Sequence, residues 1–356
     1  MSRQKKNHRS HRPGRQTGGG RTLERRPLAD EPSRVTATSA ADLLGLVPYL
    51  LGFHPAESLV VLLIRDRRVL LTARVDLPPA ALASGVVARF GRLADQHDAS
   101  GLVLFAFSAD QQPARALLEL LVTGLQPFGL LDAVLVDESR WWSLMCTGGC
   151  CPADGTAYDA RAQRVAAEAV YAGLSAAAER SSIEAMVAGP PAADFDRLAE
   201  SARQARADVK LLSRAERRTE MAESVLAFVS EPRRLSEPEC ARLAVLAAQV
   251  AVRDVAWALI SREAADAHVD LWSQVVSRAV APWQAAPLCL LGMAAWVCGN
   301  GALQNCCSER VHEVSPAYSM AALLDEISDR ALPPSFWDAM AADMREVTGA
   351  LAPRSG

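Results

Sequence analysis

The rhythm of apolar and polar positions changes twice along this chain. Up to about residue 34 there is none: "SRQKKNHRSHRPGRQTGGGRTLERRPLADEPSR" has almost no apolar residues. It reads as a disordered tail, because nothing in it offsets the entropy of ordering. From "TSAADLLGLVPYLLGF" onward apolar residues recur. Thr38 or Ser39 can cap a short helix carrying Leu43, Leu44 and Val47, which Pro48 limits or bends. Two strand patterns follow, "SLVVLLI" and "VLLTARVDL", and the charged "RDRR" between them reads as a hairpin turn. The first run is apolar on both faces and predicts a central strand. The second alternates, with Thr72, Arg74 and Asp76 on one face and Leu71, Ala73, Val75 and Leu77 on the other. A helix over about 79–97, the strand "GLVLFAF", a helix from Pro113 and the pair "LDAVLVD" and "RWWSLMC" complete this segment. The alternation places Trp141 and Trp142 on opposite faces of a strand.

After about residue 160 the period lengthens. Alanine-rich amphipathic segments succeed one another, broken at GPP, EP, AP and LPP, and no convincing strand remains. The expected fold is therefore an α/β domain, a mixed sheet with covering helices, over 35–156, followed by an all-α helical domain over 157–356. Within the latter, Leu288 to Pro316 resembles one degenerate tetratricopeptide-type helical pair. Leu291-Gly292 takes the Leu-Gly place and Pro282 lies 34 residues before Pro316. An ordinary helical bundle is the alternative.

Composition changes this picture in two places. Nine of the 38 basic residues but one of the 41 acidic ones, Glu24, fall in residues 1–26. That leaves 29 basic and 40 acidic residues in the rest, so a basic tail precedes a body of net charge −11. The tail could attract nucleic acid without sequence preference, but the acidic body opposes this and the plainer reading is a solvated segment. The eight cysteines do not form a secreted framework: Cys289, Cys298, Cys306 and Cys307 sit in apolar helical patterns as small hydrophobes. There is no signal-peptide core, and Pro287 to Cys298 is shorter than the roughly 20 residues a membrane span needs. A cytoplasmic protein without membrane association is expected.

Several stretches together resemble the actinobacterial family called "domain of unknown function 4192". They are "ADLLGLVPYLLGFHPAESLVVL", "LTARVDLP", "RWWSLMCTGGCCPADGTAYDA", "VRD" at 252–254 and "PLCLLGMAAWVCGNGALQNC … SPAYSMAALLDEISDRALPP". They span about 37 to 337 in order. The resemblance implies a cytoplasmic actinobacterial protein and no activity, since the family has none established. The segment between Thr147 and Cys150 is shorter than the family's usual loop, which weakens any site built there.

Candidate chemistry gathers at Gly52-Phe53-His54-Pro55-Ala56-Glu57-Ser58. Gly52, Pro55 and Ser58 suit a rigid helix-to-strand connection. The functional alternative is an acid–base cluster of His54 and Glu57 with Asp42 or Tyr49 at a sheet edge. Arg74 and Asp76 are either an anion-binding pair or a simple ion pair. Cys146, Cys150 and Cys151 raise zinc, yet structural zinc wants four ligands in pairs; a shielded or redox-sensitive thiol cluster is the alternative. Phosphate-binding glycine loops and a Gly-x-Ser-x-Gly elbow are absent from the sequence, and no cofactor is identified. Three functions stay open: an interaction or regulatory protein with a partner-binding groove on the helical domain, a small-ligand enzyme with its site at the sheet edge between the domains, and accessory nucleic-acid binding through the tail.

Overall fold

Ser39 starts the first helix by accepting a hydrogen bond from the Asp42 N–H at 3.1 Å. In this computed structural model, which describes residues 35–146, 149, 151–160 and 163–348, that helix is α1 (Ala40–Leu51). It runs through Pro48 instead of stopping there. Proline lacks the N–H that would bond the Leu44 carbonyl, and the Tyr158 hydroxyl donates to that carbonyl instead, at 3.2 Å. The helix ends at Gly52, whose φ of 82° suits glycine.

β1 (Ser58–Arg65) and β2 (Arg68–Asp76) form the expected hairpin. Asp66 and Arg67, with φ of 52° and 62°, make a two-residue turn of the type whose twist suits such a hairpin. Then come α2 (Ala83–Gln96), β3 (Gly101–Phe107), α3 (Gln111–Leu125), β4 (Leu130–Val136), β5 (Arg140–Ser143) and β6 (Thr156–Ala157). The sheet order is β2-β1-β3-β4-β5-β6, with β3 and β4 parallel and the other neighbours antiparallel. β1 is an interior strand, buried from Ser58 to Leu63 and apolar from Leu59 to Ile64, while β2 is an edge.

One face of the sheet, with Leu59, Val61, Leu63, Leu102 and Leu104, packs on Phe90 of α2 and Leu117 and Leu121 of α3. The other face, with Val60, Leu62, Val103 and Phe105, shares a single core with the helices beyond residue 160. Trp141 packs into this second core and Trp142 into the first, one on each face.

The helical part comprises α4 (Arg164–Tyr171), α5 (Arg180–Val187), α6 (Phe195–Leu211), α7 (Arg214–Ser230), α8 (Glu237–Ala247), α9 (Val250–Ala258), α10 (Ala265–Val276), α11 (Ala285–Val297), α12 (Gly301–Val314), α13 (Ala321–Asp329) and α14 (Ser335–Thr348). Capping boxes start α7 and α8 at Ser213/Glu216 and Ser236/Glu239. Hydrogen bonding from Arg233, then from Ser236, holds the Glu239 carboxyl down to about 2. Every residue of α11 is buried, so it is the axis of the helical core, and α12 packs along it. The tetratricopeptide assignment of this pair stays an expectation. Among the described residues no strand follows β6; Phe53 and Ala177 form one isolated parallel bridge. The expected division between 156 and 157 cuts through β6, and the second core crosses it. The basic tail over 1–34 lies outside the described residues.

Candidate functional site

The bend after α1 is built largely from backbone. The His54 N–H donates to the Ala177 carbonyl at 3.1 Å, and the Ala177 N–H donates to the Gly52 carbonyl at 2.7 Å. Glu57 has φ of 43°, unusual for a residue with a side chain. In this conformation its carboxylate accepts from the Ser108 hydroxyl and the Ala109 N–H, both at 2.9 Å. Its carbonyl accepts from the Leu77 N–H at 2.9 Å. Glu57 thus ties the start of β1 to the ends of β2 and β3.

Next to it, the Ser58 hydroxyl donates to the Ala56 carbonyl at 2.6 Å and accepts from Arg74 Nε at 2.9 Å. The Arg74 guanidinium also pairs with Asp76 at 2.7 Å and lies 6.0 Å from the centre of the Phe53 ring. The structure therefore brings Glu57, Arg74 and Asp76 to one corner. Of the other three candidates, His54 sits in the bend, where its backbone bonds Ala177, and Asp42 and Tyr49 serve α1. Asp42 accepts from the Thr38 N–H and hydroxyl, and the hydroxyl bond above all holds its carboxyl below the usual range. Tyr49 packs in a small apolar cluster with Leu46, Val165 and Ala169.

Cys146 and Cys151 are partly buried, and Cys150 lies outside the described residues. A different group of ligand-type atoms, from Glu184, Cys306 and Glu309, comes together among the described residues. Arg180 occupies it as a cation, bonding both Glu309 oxygens at 2.6 Å and Glu184 at 3.4 Å.

A cleft of about 990 Å³ runs along the outer edge of β2, and every residue from Val69 to Asp76 borders it. One wall carries Leu50 and Phe53 beside Trp296 and Ala302; the other carries Phe90, Leu93, Gln96 and His97 at the end of α2. The segment 331–335 between α13 and α14 also borders it. Trp296 Nε1 donates to the Leu332 carbonyl at 2.8 Å, and Gln96 Nε2 to the Arg330 carbonyl at 2.7 Å. Arg89 and Asp329, 3.4 Å apart, join the same two elements.

The phase of β2 follows from the Leu77–Glu57 bond. In an antiparallel pair, hydrogen-bonded and non-bonded positions alternate. With Asp76 opposite Ser58, Arg74 opposite Val60 and Thr72 opposite Leu62, the N–H and C=O groups of Thr72, Arg74 and Asp76 point away from β1 into the cleft. Among the described residues no strand pairs with that edge. His97 Nε2 is likewise buried without a hydrogen-bond partner among them, while the His97 carbonyl accepts from Arg65 at 3.1 Å.

Sequence reasoning reached Arg74 and Asp76 of this cleft and missed His97, Trp296 and Leu332. The last belongs to "LPP", read only as a helix break. Exposed apolar side chains on the helices, among them Val250, Leu323, Phe336 and Met340, stand apart from the cleft. No helix among the described residues is long and apolar enough to cross a membrane.

A family model described as "Domain of unknown function (DUF4192)" matches residues 41–335. No curated protein and no solved structure matches the chain. The matched span runs from α1 through the edge strand to the segment that borders the cleft, so it takes in the whole architecture of the site. The chain belongs to the DUF4192 family, as its sequence patterns suggested.

Proposed function

We propose that this chain is an interaction protein whose recognition site is the cleft along β2, one wall of it supplied by α11 and α12. The observation that supports this reading is an open strand edge of eight residues lying inside a concavity of about 990 Å³ with both apolar and polar lining. Binding sites favour such junctions between structural layers, where a few convergent polar groups sit in a largely apolar hollow. The partner surface expected on the helices alone becomes, in this reading, one side of a shared cleft. The small-ligand enzyme reading draws less support. The Glu57 carboxylate is engaged by Ser108 and Ala109, and neither His54 nor Glu57 borders the cleft. Nucleic-acid contact through the basic tail rests on sequence alone.

The test is an NMR screen of small amide and aliphatic fragments on the full chain. Binding fragments should shift the Trp296 indole and the Leu51 and Leu332 methyls, and Ala302→Trp, which fills the cleft, should abolish those shifts. Fragments that gather instead on Phe336 and Met340 of α14 overturn the reading.

A further inference from the structure

We propose that the occupant of the cleft is an extended polypeptide segment with acidic side chains at alternate positions, which joins β2 as a seventh strand. The inference rests on the cleft being the recognition site and adds the chemistry of what it recognises.

The first support is the unfilled ladder. Backbone N–H and C=O groups are obligatory hydrogen-bonding groups, and a long open edge is normally blunted or covered. Here the outward groups of Thr72, Arg74 and Asp76 face a cleft bounded by protein on both sides. Their donor–acceptor alternation is matched by another extended chain, the basis of recognition by strand addition. Eight residues of β2 extend about 26 Å, room for a segment of similar length.

The second support is the asymmetry of the walls. Successive side chains of an added strand would point to opposite sides. Those on one side meet Phe53, Trp296 and Ala302; those on the other meet Arg65, Arg89 and His97.

The third support is charge. Arg74 and Arg180, also in the lining, are held by Asp76 and Glu309 at 2.7 and 2.6 Å, which engages those two acids as well. Arg65 and Arg89 have side chains 45% and 49% exposed and reach their nearest acids only at 4.0 and 3.4 Å. With Asp98 also in the lining, four arginines, Arg65, Arg74, Arg89 and Arg180, face three acids, Asp76, Asp98 and Glu309, so the cleft carries a small net positive charge, with Arg65 and Arg89 on the α2 wall. The partnerless His97 Nε2 on the same wall offers a further polar contact to a carboxylate.

The experiment uses the full chain and a phage-displayed library of random linear octapeptides. Selected sequences should alternate acidic and apolar residues. A synthetic selected peptide should slow hydrogen exchange at the amides of Thr72, Arg74 and Asp76 at least tenfold, leaving Ala73 and Val75 unchanged. Methylating alternate peptide nitrogens of the probe should abolish binding. The double variant R65E/R89E should lose at least tenfold in affinity for the acidic peptide and gain affinity for its lysine counterpart, a gain that an unfolded variant could not show. Strand addition is overturned if the selected peptides leave β2 exchange unchanged, if N-methylation has no effect, or if the same amides become protected by self-association without peptide. Fragments that still shift Trp296 in that event leave the cleft reading standing; if they too fail, both fall together.

Discussion

Three polar side chains deep in the helical core, Arg253, Gln304 and Ser308, and the backbone at the open edge of the sheet are treated in opposite ways. In the core, Arg253 is 6% exposed, and its guanidinium donates to Asp254 at 2.7 and 3.0 Å and to the Tyr318 hydroxyl at 3.0 Å. Gln304, 2% exposed, donates to the Leu324 carbonyl and accepts from the Ser328 hydroxyl, both at 2.9 Å. The buried Ser308 hydroxyl donates to Asp325, which His312 engages from the other side. Each of these groups finds its partner inside the chain. At β2 the backbone of Thr72, Arg74 and Asp76 faces the cleft instead. The lesson is a division of labour: internally bonded polar groups tie α9 to α13 together, and α11 and α12 supply one wall of a cleft whose edge backbone has no strand partner among the described residues.

The core side of this comparison breaks first with Arg253→Ala. Removing the cation leaves Asp254 and the Tyr318 hydroxyl without it in a half-buried setting. About 3–4 kcal/mol of stability should be lost, at the lower end because Asp254 keeps some contact with water. Chemical denaturation measures this. Fragment affinity at the cleft, measured well below the unfolding midpoint, should hold within about twofold. Equal damage to both would mean that the two regions are not separable.

The next effect is smaller and depends on pH. His268 is 1% exposed, with its Nε2–H donating to the Leu259 carbonyl at 3.1 Å. Burial lowers its pKa from the usual 6.5 to about 4. The folded state thus keeps a neutral imidazole where the unfolded chain takes up a proton. Above about pH 6.5 neither form is charged and stability is unaffected. As pH falls from there to about 4, stability should drop by up to about 1.4 kcal/mol per unit. His268→Asn should flatten that slope. A slope unchanged by the substitution would assign the acid sensitivity to other groups.

The parts of the fold that local chemistry dictates were legible: the alternation of Thr72, Arg74 and Asp76, the apolar run of β1, the two-faced placement of Trp141 and Trp142 and the helical second half. What stayed hidden depends on distant partners. Pro48 reads as a residue that limits or bends α1 until Tyr158, 110 residues later, supplies the donor its ring lacks. Glu57 reads as an acid beside a histidine until Ser108 and Ala109 claim its carboxylate. His97 stands in sequence at an ordinary helix end. Only the meeting of α2 with the segment after α13 puts it in a cleft wall, and no periodicity encodes that meeting.

The finest separation lies between two neighbouring residues of β2. The Ala73 N–H faces β1, opposite Val61, in the hydrogen-bonded phase, whereas the Thr72 N–H faces the cleft. Proline removes the N–H wherever it is placed, and sheets tolerate it only where that group is unused by the ladder. Ala73→Pro should therefore cost about 2–3 kcal/mol, from a broken ladder bond and a stranded Val61 carbonyl. Thr72→Pro should cost about 1 kcal/mol or less, because no bond within the sheet is lost and Leu71 before it is already extended. Thermal unfolding of the pair reads the difference directly. Comparable losses would mean that the β2 phase is misassigned and that the open ladder lies one residue along. With the phase upheld, the nearly native Thr72→Pro protein becomes the sharpest probe of the site, since it lacks one edge donor and little else. An extended segment that pairs with β2 should bind it several-fold more weakly, and a ligand that only fills the apolar wall beside Trp296 should bind it unchanged.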